Sequence, residues 1–161
     1  MNRRKFIEVL GMGAATGAFA IASSAIAAEH NHGHISIGSL KKRRPLSKEL
    51  LAVVDTSNKC VANAEACLAR CNESLLAGDT SMADCQTVVM DMIAICEALK
   101  RVAINNTSDE VRIKVLAKLC GEYCRDCEKE CKPHASHHAE CKACLESCVE
   151  CAKACESYVR V

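Results

Sequence analysis

The chain has 161 residues, a formal net charge of +1 and 14 cysteines against two prolines and no tryptophan. That length suits one domain, and the near-zero charge gives no electrostatic reason to expect nucleic acid as a partner. Half the residues are apolar, so a core can form, but Phe6 and Phe19 both lie in the first 27 positions, leaving Tyr123 and Tyr158 as the later aromatics. The core must be built from aliphatic side chains, methionine and cysteine.

The chain opens with Arg3-Arg4-Lys5-Phe6-Ile7, a weakly apolar Ala/Gly-rich middle and the small residues Ala25-Ile26-Ala27. This pattern reads as a twin-arginine (Tat) signal over residues 1–27, and with it an exported, periplasmic protein. Glu8 and the many Gly and Ala make Ile7 to Ala28 a poor membrane anchor, so no stable membrane insertion is expected after cleavage. Cleavage would leave 18 Lys and Arg against 19 Asp and Glu. Residues 28–45, with His30, His32 and His34 near the start and Lys41 to Arg44 near the end, read as a flexible, solvated tail.

Four helical patterns then fill residues 46–161. The first runs from about Leu46 to Ala77, with Val53, Cys60, Ala64, Cys67 and Cys71 on one face and Gly78-Asp79 closing it. The second starts near Thr80, aligns Met82, Cys85, Val89, Met92, Cys96, Leu99 and Ala103, and ends around Asn105-Asn106. The third opens on Thr107 and Glu110 as a capping box, aligns Ile113, Leu116, Cys120, Cys124, Cys127 and Cys131, and stops before Pro133. In the fourth, Cys141, Cys144, Cys148, Cys151 and Cys155 advance by 3, 4, 3 and 4, one face of a helix and a stripe about 21 Å long. Short connections between long amphipathic helices predict an all-α, antiparallel up-down four-helix bundle with a cysteine-lined core.

Fourteen cysteines in an exported chain would ordinarily suggest disulfides. Cysteines three or four apart on a helix have Cβ atoms about 5 to 6 Å apart, against roughly 3.8 Å in a disulfide, so neighbours in one stripe cannot pair. A bundle stapled by disulfides between helices remains the structural alternative. Zinc is suggested by Cys124-x-x-Cys127 and Cys141-x-x-Cys144, but these pairs sit inside helical patterns rather than on turns. About three Zn²⁺ on fourteen thiolates would also leave a core charge of about −8. Cu(I) is soft, singly charged and content with two or three thiolates, so a column of bridging thiolates approaches one ion per cysteine, about ten to fourteen per chain. Silver would satisfy the same geometry. No thiol stands out as a nucleophile with a basic partner, so an enzyme is not expected, and thiol redox catalysis ranks last.

Cys120-GEY-Cys124-RD-Cys127-EKE-Cys131, the turn Pro133-HASHH and Cys141-KA-Cys144-LES-Cys148-VE-Cys151-AKA-Cys155 resemble the bacterial copper storage proteins. Cys60, Cys67, Cys71, Cys85 and Cys96 fit that resemblance more loosely, while the Tat-like start is similar to that of the exported branch. The resemblance implies multiple Cu(I) ions inside each bundle, no catalysis, a homotetramer, and a copper-accepting protein as partner.

One mouth is expected, at the end that gathers Met82, Cys71, Cys85, Cys131, Cys141 and the turn with His134, His137 and His138. Stepping back from Cys141 by 4 and 3 places His137 and His134 on the inward face, so these two and Met82 are candidate ligands beside the fourteen cysteines. His138 is read as solvated and Met92 as core filler. Val53, Leu99, Ala103, Ile113, Leu116 and Tyr158 should form an apolar plug at the other end.

Overall fold

The computed structural model describes residues 42–161; the proposed signal and His30, His32 and His34 lie outside the described residues. Helix α1 (Lys48–Leu76) begins where Ser47 accepts a hydrogen bond from the Leu50 N–H, and it ends in a turn at Gly78, whose φ of 86° favours a residue without Cβ. A single 3-10 turn (Thr80–Met82), capped by Asp79, leads into α2 (Ala83–Asn105). Helix α3 spans Glu110–Cys131 and α4 spans Ala139–Arg160. Both α1 and α3 pack against α2 and α4, which closes the four helices into the expected up-down bundle.

Three local expectations are corrected. The cap of α3 is Asp109, whose carboxylate accepts from the Val111 N–H, because the helix starts at Glu110 and leaves Thr107 in the connection. Leu116 is only partly buried, whereas Ala117 is fully buried. The inward stripe of α3 runs Ile113, Ala117, Cys120, Cys124, Cys127 and Cys131, alternating steps of 4 and 3, and Leu116 falls one position off it. Arg44 is not simply solvated: its guanidinium donates to Asn106 Oδ1 at 3.0 Å and to the Ser108 carbonyl at 2.7 Å.

Asn106 answers from the left-handed region (φ 46°), its amide donating to the Arg44 and Pro45 carbonyls at 3.1 and 2.9 Å. This clasp draws the approach to α1 across the α2–α3 connection. Beneath it, Leu50, Val53, Leu99, Ala103, Ile113 and Tyr158 are buried, so the end remote from the histidines is apolar and shut. Among the described residues, no helix is long and apolar enough to cross a membrane.

Candidate metal centre

Each helix contributes one stripe. On α1 the buried positions Leu50, Val53, Ser57, Cys60, Ala64, Cys67 and Cys71 alternate steps of 3 and 4, and α4 repeats that phase with its five cysteines. All fourteen cysteines are buried and free. The Sγ atoms of Cys60, Cys96, Cys124 and Cys151 lie within 4.8 Å of one another, as do those of three trios: Cys67, Cys85 and Cys131; Cys120, Cys151 and Cys155; Cys127, Cys144 and Cys148. Cys151 belongs to two of these groups, and Cys60 meets Cys148 at 3.6 Å, so the groups join into a column.

Neighbouring thiols in the column sit 3.3 to 3.9 Å apart, from Cys96–Cys120 at the short end to Cys67–Cys131 and Cys127–Cys131 at the long end. A disulfide needs about 2.05 Å. Bonds of about 2.3 Å to a first-row metal would set sulfurs about 4.0 Å apart in a trigonal site and about 4.6 Å apart in a linear one. The observed spacing is a little tighter than either, so small side-chain movements would admit ions without moving the helices.

The CxxC pairs do not converge. Cys127 meets Cys144 at 3.7 Å, but Cys124 joins the group with Cys60, Cys96 and Cys151, and Cys141 lies 3.6 Å from Cys67. Cysteines three apart on one helix are thus shared out to different levels of the column, unlike a zinc ribbon, in which both pairs hold one ion.

Burial and crowding govern the protons. Cys71 is pushed up to about 12, first by burial and then by the charge of Cys85; burial likewise raises Cys141. Deeper in, the thiols solvate one another. Hydrogen bonding from Cys131 holds Cys85 down at about 3, and that from Cys124 holds Cys120 at about 6 and, with Cys148, Cys60 at about 5. In exchange Cys131, bonded chiefly with Cys127, and Cys124, bonded chiefly with Cys120, are held protonated. The thiols of the column thus share protons among themselves, and soft cations can replace those protons.

The histidine end differs from expectation. Met82 is buried, 1% exposed, in the same core as the cysteines, so the bundle is shut there in this conformation. Because α4 begins only at Ala139 and residues 132–137 form turns, the helical phase does not reach back: His137 is exposed. His134 is half-buried in the turn. Sequence reasoning passed over Ser57, whose Oγ lies 3.6 Å from Cys151 Sγ, since a serine in a hydrophobic stripe gives no apolar signal. It also passed over the surroundings of Met92, a thioether set between two thiols.

A helical bundle with a continuous core of soft sulfur donors from all four helices is a metal-holding protein. Residues 46–160 match the family model of the copper storage protein, and the chain belongs to that family of four-helix-bundle proteins that store copper. The fold resembles the copper storage protein Ccsp from Streptomyces lividans loaded with 10 copper equivalents, at 25% identity and TM-score 0.64, over 70% of this chain and 84% of that one. It also resembles a cytosolic copper storage protein from Streptomyces lividans carrying five coppers, at 24% identity and TM-score 0.65, over 70% of this chain and 93% of that one. No curated protein sequence was found to match.

The expectation of a Tat-exported, periplasmic protein is corrected by these relatives. The matching five-copper structure is of a protein described as cytosolic, and the residues 1–27 on which the expectation rested lie outside the described residues.

Proposed function

We propose that residues 46–161 hold about ten to fourteen Cu(I) ions per chain on bridging cysteine thiolates and release them to a copper-accepting protein. The supporting observation is the continuity of the column: thiols of all four helices meet at 3.3 to 3.9 Å, as in Cys67–Cys141, Cys85–Cys131, Cys96–Cys120 and Cys127–Cys144. A singly charged ion suits it. One Cu(I) per thiolate leaves the buried core near neutral, whereas divalent ions at tetrahedral sites leave it strongly anionic. The fourteen cysteines act as ligands, with Met82 and His134 passing ions at the end nearest Cys71 and Cys85. His137, exposed in the turn, serves as an outer collecting point. Catalysis has no part in this reading. The functional particle is a homotetramer, as the family resemblance implies.

The test is an anaerobic titration of the reduced protein with Cu(I) against a coloured competing chelator. Binding of about ten or more ions with unchanged helical circular dichroism is the expected result; saturation at one or two would overturn the proposal. A second reading, zinc at Cys60, Cys96, Cys124 and Cys151, rests on those four sulfurs lying close enough for one tetrahedral ion. Zinc resisting displacement by Cu(I) at one ion per chain would favour it.

A further inference from the structure

The stripe of α2 that faces the column runs Met82, Cys85, Val89, Met92, Cys96, alternating steps of 3 and 4 as α4 does. Sulfur occupies every one of these positions but Val89. Met92 is fully buried at mid-length, in the level where α1 supplies Cys60, α3 supplies Cys124 and α4 supplies Cys148 and Cys151. Its Sδ lies 3.5 Å from Cys60 Sγ and 3.4 Å from Cys96 Sγ.

That arrangement is more than space filling. Cys60 and Cys96 Sγ also lie within 4.8 Å of each other, so two cysteine sulfurs and one thioether surround a single point. Leu99 and Val89 fill neighbouring turns of the same stripe with hydrocarbon, which packs as well and binds nothing. A donor at this depth must also be neutral or add charge to a buried site already crowded with thiolates, and the thioether is the one soft side chain that meets both demands.

Resting on the reading that Cu(I) fills the column, we propose that Met92 Sδ is a third donor to an ion held by Cys60 and Cys96, forming a mixed thiolate–thioether site in the middle of the bundle. The ion binds Cys60 and Cys96 as thiolates, and any proton still carried by either sulfur leaves to solvent as that sulfur binds. With two thiolates and one neutral sulfur, the site carries a net charge of −1, where a third thiolate would make it −2.

Selenomethionine gives this sulfur its own spectroscopic label. The full-length chain carrying Met82→Leu is compared with the same chain carrying Met82→Leu and Met92→Leu, both selenomethionine-labelled, copper-loaded and measured at the selenium absorption edge. A selenium–copper shell in the first, lost or sharply reduced in the second, is expected. Equal shells in both, or none in either, would overturn the role of Met92 even when the chelator titration shows a full complement of copper. Failure of the unsubstituted chain to take up many ions would instead overturn the underlying storage reading. Met92→Leu conserves side-chain volume. Should its helical circular dichroism nevertheless differ from that of its parent, Met82→Leu with Met90→Leu leaves Met92 as the one thioether among the described residues. The presence or absence of its selenium–copper shell then decides.

Discussion

Replacing Cys148 by serine tests whether copper is spread along the column or concentrated in one site. Cys148 is fully buried, groups with Cys127 and Cys144, and lies 3.6 Å from Cys60, so its sulfur stands between two levels. If each thiolate bridges two ions and each ion takes two thiolates, fourteen thiolates hold about fourteen ions. Deleting one donor then removes about one or two of them, roughly 7 to 14% of capacity. The serine hydroxyl is a poor substitute for a soft ligand and is set among the thiols of Cys60, Cys127 and Cys144. Its imperfect hydrogen bonding should destabilise the copper-free protein by about 1 to 3 kcal/mol. At about 4 °C per kcal/mol, that lowers the melting temperature by roughly 4 to 12 °C. Copper capacity is read by anaerobic titration against a coloured chelator, and stability by circular dichroism of the copper-free protein. Collapse to a few ions would refute the distributed column; an unchanged count would refute a ligand role for Cys148.

The copper-free protein should lose stability at alkaline pH. Cys71 is held neutral to about 12 in the fold but ionises near 9 when unfolded, so the unfolded chain binds fewer protons between these values. Stability falls there by about 1.4 kcal/mol per pH unit for each such thiol. Copper-loaded protein, already deprotonated, should show a much flatter profile in denaturant titrations, and equal slopes would contradict the proposal. Asn106→Ala should cost about 2 kcal/mol, through loss of the side-chain clasp to Arg44 and Pro45 and retention of a left-handed residue, with copper capacity unchanged. Asn106→Gly should recover part of that loss in chemical denaturation. At Gly121, an added Cβ would meet Cys155 Cβ at 3.5 Å, an ordinary contact. Gly121→Ala should therefore stabilise the bundle by about 0.5 to 1 kcal/mol in the same assay, and a loss would show that α3 and α4 approach more closely than described.

The sequence by itself determined the helices, their inward faces and the chemistry of the lining. A cysteine every three or four residues, uninterrupted by Gly or Pro through Cys141 to Cys155, leaves few alternatives to a helical stripe of soft donors. Phase also explains the error at Leu116: on a 3.6-residue repeat, two adjacent apolar residues compete for one inward position, and local pattern cannot choose between them. The helix start at Ala139 was illegible for a similar reason, since His134 and His137 carried the right spacing but lay in a turn that holds no helical phase.

Only the tertiary structure decided which thiols meet. Cysteines three apart on one helix, such as Cys124 and Cys127 or Cys148 and Cys151, go to different levels, while Cys60 and Cys148, or Cys96 and Cys120, far apart in the chain, come to 3.6 and 3.3 Å. Those pairings follow from the relative rotation and vertical offset of four packed helices, quantities set by side-chain interdigitation across the whole bundle rather than by any one helix. The same offset places Met92 between Cys60 and Cys96, turning a residue that reads as filler in a stripe into a sulfur flanked by two cysteine sulfurs.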